Sequence, residues 1–88
     1  MRTIEICFEI AELCEKYGDA WSHTFTTFGW EFENGDVPAV ARKVTHIYGG
    51  MGSFNDLVLH KDGRMVGADN DKLDMLREEL FQEIIKNL

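Results

Sequence analysis

Three glycines in four positions, Gly49, Gly50 and Gly52, run with Met51 into Ser53, Phe54, Asn55 and Asp56. This is where the chain comes nearest to a set of reactive groups. Ser53 is a hydroxyl that a base could activate. His46 or His60 could supply the base, and Asp56 could orient the imidazole. The surroundings argue against it, because Gly-Met-Gly-Ser-Phe lacks the Gly-x-Ser-x-Gly elbow. The glycines could instead aim backbone N–H groups at a phosphate. Phosphate loops follow a strand and open a helix, whereas here the glycines follow a helical pattern and precede a strand-like one. No Lys or Arg lies between Tyr48 and His60, and Asp56 would repel an anion. His23, His46 and His60 have no metal-ligand spacing. No cofactor and no metal are expected.

Cys7 and Cys14 stand two helical turns apart, about 10.5 Å of rise. A disulfide spans at most about 7 Å between Cα atoms, so both are expected as buried, unlinked thiols. There is no Cys-x-x-Cys pair.

The elements that would position these groups follow from periodicity. A first helix is expected from Thr3 to Tyr17, ended by Gly18. Ile4, Cys7, Phe8, Ala11 and Cys14 form one stripe, with Glu5, Glu9, Glu12 and Lys16 on another. Ile4, Ile6, Phe8 and Ile10 also alternate as a strand would, although the glutamates favour helix. Asp19 can cap a second helix carrying Trp21, Phe25, Phe28 and Phe32, while residues 28–32 could alternatively form a strand. Asp36, with Pro38 in the first turn, starts a third helix, which carries Val40, Ala41, Val44, Ile47 and Tyr48 and stops at Gly49. Lys61-Asp62-Gly63 between short apolar runs predicts a β-hairpin. A last helix should begin after Asp69-Asn70-Asp71, with Leu73, Leu76, Leu80, Ile84 and Leu88 as its buried stripe. The fold class is therefore mainly α with a small β-hairpin: four helices, the hairpin between the third and fourth.

Size and composition set the outer bounds. Eighty-eight residues, 44% hydrophobic with ten aromatics, fit a single domain, residues 1–88, with a real core. No apolar run approaches the roughly 20 residues that span a bilayer, and acidic residues interrupt the N-terminal segment where a secretory signal needs an apolar core. The expectation is a cytoplasmic protein without a membrane partner. Sixteen acidic residues against nine basic ones give a formal charge of −7, the wrong sign for nucleic acid.

Two stretches, Tyr48 to Leu59 (YGGMGSFNDLVL) and Asp69 to Phe81 (DNDKLDMLREELF), resemble a family of small uncharacterised bacterial proteins. That family joins a Gly-Gly-Met-Gly-Ser-Phe-Asn-Asp-Leu motif to a terminal Asn-Asp-x-Leu-Asp-x-Leu-Arg helix. The resemblance implies a bacterial, cytoplasmic origin and a helical fold with a hairpin. It implies no activity. It singles out Gly49, Gly50, Gly52, Ser53, Asn55 and Asp56 again.

The segment from Gly49 to Asp56 suits a corner: glycines reach backbone angles other residues avoid, and Ser53, Asn55 and Asp56 can bond nearby backbone groups. It is also the candidate contact loop. The function expected is a small, acidic, non-catalytic module that binds another protein, as inhibitors, immunity proteins and regulators do, working as a monomer or homodimer. The alternatives are an enzyme or small-molecule binder centred on the same loop, and an acidic mimic of nucleic acid.

Overall fold

The first glycine of the chain makes the first corner. Helix α1 spans Arg2–Lys16, and Gly18 behind it takes φ +66°, in the left-handed region that costs glycine least. The turn closes with Gly18 N–H on the Glu15 carbonyl and Asp19 N–H on the Cys14 carbonyl, both at 3.0 Å, the paired bonds of a Schellman stop. A computed structural model gives this architecture and describes residues 2–48 and 53–87.

Helix α2 spans Trp21–Asn34. The Asp19 carboxylate accepts from Trp21 N–H at 2.9 Å, so it serves the helix start from one residue outside the cap position, held by Ala20. Residues 28–32 are helical, and the strand alternative for them fails, as it does for residues 3–10. The reason is packing: Phe25, Phe28 and Phe32 are all buried, which steps of three and four achieve only on a helix. Helix α3 spans Val37–His46, with Asp36 accepting from Ala39 N–H at its start. It ends two residues before the expected Tyr48. Ile47 and Tyr48 continue as a turn, with N–H groups on the Val44 and Thr45 carbonyls. Gly49, the expected stop, lies outside the described residues.

A single 3₁₀ turn, Phe54–Asp56, leads to strands β1 (His60–Lys61) and β2 (Arg64–Met65). These pair antiparallel, His60 opposite Met65 and Lys61 opposite Arg64. Asp62 and Gly63 take φ 53° and 78°, the two positive values of a type I′ turn. Helix α4 spans Gly67–Lys86. It starts before Asp69-Asn70-Asp71, so these residues lie within its first turns and do not cap it.

The core draws on every helix: Ile6, Cys7, Ile10 and Cys14 from α1, the three phenylalanines of α2, Val40 and Val44 of α3, and Leu73, Leu76, Leu80 and Ile84 of α4. Phe54 and Leu59 enter it from the connection between α3 and α4. Both cysteines are free and buried. Burial pushes the Cys7 thiol up to about 12 and Cys14 to about 11, so neither is a nucleophile near neutral pH.

Helix α1 packs most broadly on α2, and Gly29 sits at the closest approach. A Cβ there would stand 2.6 Å from Phe8 Cε1 and 2.7 Å from Cζ. Gly29→Ala should therefore lower stability by about 1–2 kcal/mol despite alanine's better helix propensity. In a Phe8→Leu background, where the ring is gone, the same change should be neutral or stabilising. Urea melts of the four proteins check this; additive effects would show that the ring yields freely.

Candidate functional site

The segment marked by sequence is held down from one side of α4. Phe54 is fully buried. Its ring lies 4.5 Å from that of Phe25, 5.4 Å from Trp21 and 5.7 Å from Tyr48, which meets it edge-on. Carrying this ring inward takes backbone polar groups with it, and each requires a partner. Phe54 N–H donates to the Ile47 carbonyl at 3.0 Å. Arg77 Nη1 donates to the Phe54 carbonyl at 2.7 Å and to the Leu57 carbonyl at 3.0 Å. The guanidinium also lies 5.4 Å from the Phe54 ring centroid and pairs through Nη2 with Asp74. Only 11% of the Arg77 side chain is exposed. A guanidinium so placed is a structural clamp, because Nη1 is committed to two backbone carbonyls and Nη2 to Asp74.

Asn70 does the same for the hairpin. Its Oδ1 accepts from Leu59 N–H at 2.7 Å, and its Nδ2 donates to the carbonyls of Leu59 and Val66, both at 2.9 Å. The side-chain amide thus bonds Leu59 as a neighbouring strand would. Tyr48 completes the enclosure, its hydroxyl donating to the Arg77 carbonyl at 2.9 Å; burial holds that phenol well above its ordinary pKa. Sequence reading missed these roles for Arg77, Asn70 and Tyr48. The signal present was the pairing of two motifs, whose residues prove to be in contact.

Of the candidate loop, Gly49, Gly50, Met51 and Gly52 lie outside the described residues. Asn55 and Asp56 are exposed. Asn55 Nδ2 donates to the Tyr48 carbonyl at 2.9 Å, so it does tie the turn, although as donor to a carbonyl. Ser53 corrects expectation: its Oγ is buried without a hydrogen-bond partner among the described residues. It neither caps the turn nor meets the base that nucleophilic attack requires. The ring of His60 has Nδ1 3.1 Å from the Val58 carbonyl. Among the described residues, no three histidine, cysteine or carboxylate side chains converge as metal ligands would.

Several charged residues form ion pairs. Arg2 Nε lies 2.6 Å from Glu79, Nη1 3.3 Å from Glu5 and Nη2 3.4 Å from Glu9. Lys43 meets Glu31 at 2.8 Å and Lys16 meets Asp69 at 3.0 Å. The Tyr17 hydroxyl donates to the same Asp69 oxygen.

Two of the surface hollows bear on function. One, about 560 Å³, lies at the α1–α2 turn beside Glu15, Asp19, Ser22 and His23; Asp19 is engaged with Trp21 N–H there, as is the Ser22 carbonyl with Thr26 Oγ1 at 2.8 Å. The other, about 510 Å³, is an apolar groove between α2 and α3, lined by Thr27, Trp30, Ala39 and Val40 with Glu31 and Asp36 at its edge. Trp30 is 59% exposed. At about 100° per residue it falls opposite the Phe25–Phe28–Phe32 stripe, a sign legible in the sequence.

The fold and its surface define a small helical domain with no assembled catalytic centre among the described residues. The chain belongs to the domain family of unknown function DUF6966, which matches residues 15–67, from the end of α1 to the first residue of α4. No curated protein and no solved structure matches the chain. Among the described residues, no helix is long and apolar enough to cross a membrane.

Arg77→Met keeps the stem and removes the donors, and should cost about 2–4 kcal/mol, since two buried carbonyls lose a charged partner. Asn55→Ala should cost about 0.5–1.5 kcal/mol, and Ser53→Ala should stay within about 0.5 kcal/mol of the parent, its hydroxyl having no bond to lose among the described residues. Thermal melts rank the three; a Ser53→Ala loss equal to that of Arg77→Met would contradict the clamp.

The Asp69 carboxyl is held below its ordinary value, first by the Tyr17 hydroxyl and then by the Lys16 ammonium. A carboxyl depressed in the folded state stabilises above its unfolded pKa, about 3.9, and that stability is lost as pH falls through the folded value. Asp69→Asn should lower Tm near neutrality and flatten its decline below about pH 5. A parallel, merely shifted acid limb would assign that decline to other groups, such as Glu79, which Arg2 depresses similarly.

Proposed function

We propose that this chain is a non-catalytic module that binds another protein, working in the cytoplasm of a bacterium. The observation that carries the reading is the exposure of Trp30 at the mouth of an apolar groove. A large indole left in water beside a ready-made hollow is the kind of residue that anchors protein contacts. The loop from Gly49 to Asp56 supports a lesser role. Phe54 is fully buried and is withheld from any partner, while Asn55 and Asp56 offer side chains at the surface.

The other readings have less behind them. An enzyme at Ser53 would need a base on its hydroxyl, and no described residue bonds it. A nucleic-acid mimic needs rows of uncompensated carboxylates. At least seven of the sixteen here (Glu5, Glu9, Glu31, Asp69, Asp74, Glu79 and Glu83) lie against arginine or lysine.

The test is affinity capture with the full chain from its native cells, followed by titration of the purified captured protein. The expected result is one saturable partner protein with at least micromolar affinity, within the usual range for transient complexes. Retention of no protein by the immobilised chain would overturn the reading.

A further inference from the structure

Resting on that reading, we infer that the α2–α3 groove takes an arginine-bearing segment of the partner protein, with a guanidinium stacked on Trp30 and held by the acids at the groove's edge. The groove's lining is apolar at Val40 (4% exposed) and Ala39, and accepts aliphatic side chains or the methylene stem of a long basic one. Its one aromatic face is the indole, the ring that best attracts a cation.

The charges around it have one sign in excess. Glu31 and Asp36 line the groove, and Glu33, three residues after Trp30 on α2, shares the indole's side of the helix. Lys43 also lines it, but its ammonium is already tied to Glu31 at 2.8 Å. Negative charge is left at the end where α2 passes into α3. An acidic partner would be repelled there, and a neutral apolar one would bring no cation to Glu33 and Asp36, since Lys43 serves Glu31. Arginine suits the place better than lysine, because a planar guanidinium stacks on a ring and meets a carboxylate with two parallel N–H donors. A second copy of this chain is disfavoured by charge, since each carries a formal −7; Arg42 and Arg64 are exposed, so dimerisation through this face is one outcome the test must read.

The probe is a short synthetic peptide alternating arginine and leucine, with glutamate–leucine and lysine–leucine versions as controls. Two-dimensional NMR of the full chain resolves the two indole N–H signals, and Trp30→Phe assigns them. The arginine peptide should move the Trp30 signal saturably, more tightly than the lysine peptide and less so at raised salt. Trp30→Ala should weaken binding by roughly tenfold or more, the usual loss at an aromatic anchor. Glu33→Gln with Asp36→Asn should do likewise, and asparagine keeps the α3 cap. Both variants should retain the parent's circular dichroism, since the residues changed are exposed. Equal binding of the glutamate peptide, arginine-peptide affinity unchanged by Trp30→Ala, or dimerisation through this face would each overturn the proposal.

The captured partner separates this inference from the reading beneath it. Binding lost on Trp30→Ala supports both. Undiminished binding by Trp30→Ala overturns the groove and leaves the module standing. Capture of no protein by any form removes both.

Discussion

A connection that sends a ring into a hydrophobic core must find partners for the backbone carried with it, and in this protein the guanidinium of Arg77 supplies them. Phe54 contributes a ring to a cluster with Phe25, Trp21 and Tyr48, and its burial favours the fold through the apolar area removed from water. The same burial would strand the carbonyls of Phe54 and Leu57 if no donor followed them. Arg77 reaches both, while Asp74 balances its charge. Desolvating a guanidinium is costly, and here that cost is offset by the two carbonyls on Nη1 and the Asp74 carboxylate on Nη2. Helix α4 is thus more than a fourth wall: one side of it fills the core through Leu73, Leu76, Leu80 and Ile84, and the adjacent polar edge fastens the connection.

The charge distribution follows the same economy. Arg2 collects three carboxylates from two helices, and Lys16 and Tyr17 converge on Asp69 to join the end of α1 to the start of α4. Contacts this exposed add little stability each. They do choose which helices lie side by side, because an alternative packing would bring like charges together. What they leave uncompensated, at the α2–α3 groove among other places, gives the surface its negative character.

Much of this was legible in the sequence because much of it is local. Gly18, Asp36-Val37-Pro38 and Asp62-Gly63 mark a helix stop, a helix start and a turn by chemistry confined to a few residues, and each lies where expected. The failures have a common origin. Asp69-Asn70-Asp71 has the composition of a cap, but Asn70 is required eleven residues away at Leu59, so α4 begins earlier, at Gly67, with no side-chain cap. Ser53 looks like a turn former, yet its hydroxyl is enclosed by packing that no local pattern reveals. Arg77 reads as one more surface cation until the carbonyls it serves are known. The candidate loop was legible as a segment of interest, and Trp30 only as a residue off its helix's apolar stripe.

The amide of Asn70 also ties together the local opening of two elements. A ladder of two residue pairs cannot persist in water by itself. Its continuation, Val66 N–H on the Leu59 carbonyl, shares that acceptor with Asn70. When the first turns of α4 fray, Leu59 loses both its donor and its acceptor partner on that side chain, and the hairpin loses its anchorage to the helix. The amides of Leu59, Val66 and Asn70 therefore belong to one cooperative unit for hydrogen exchange, so that the protection of a strand is governed by the integrity of a helix end.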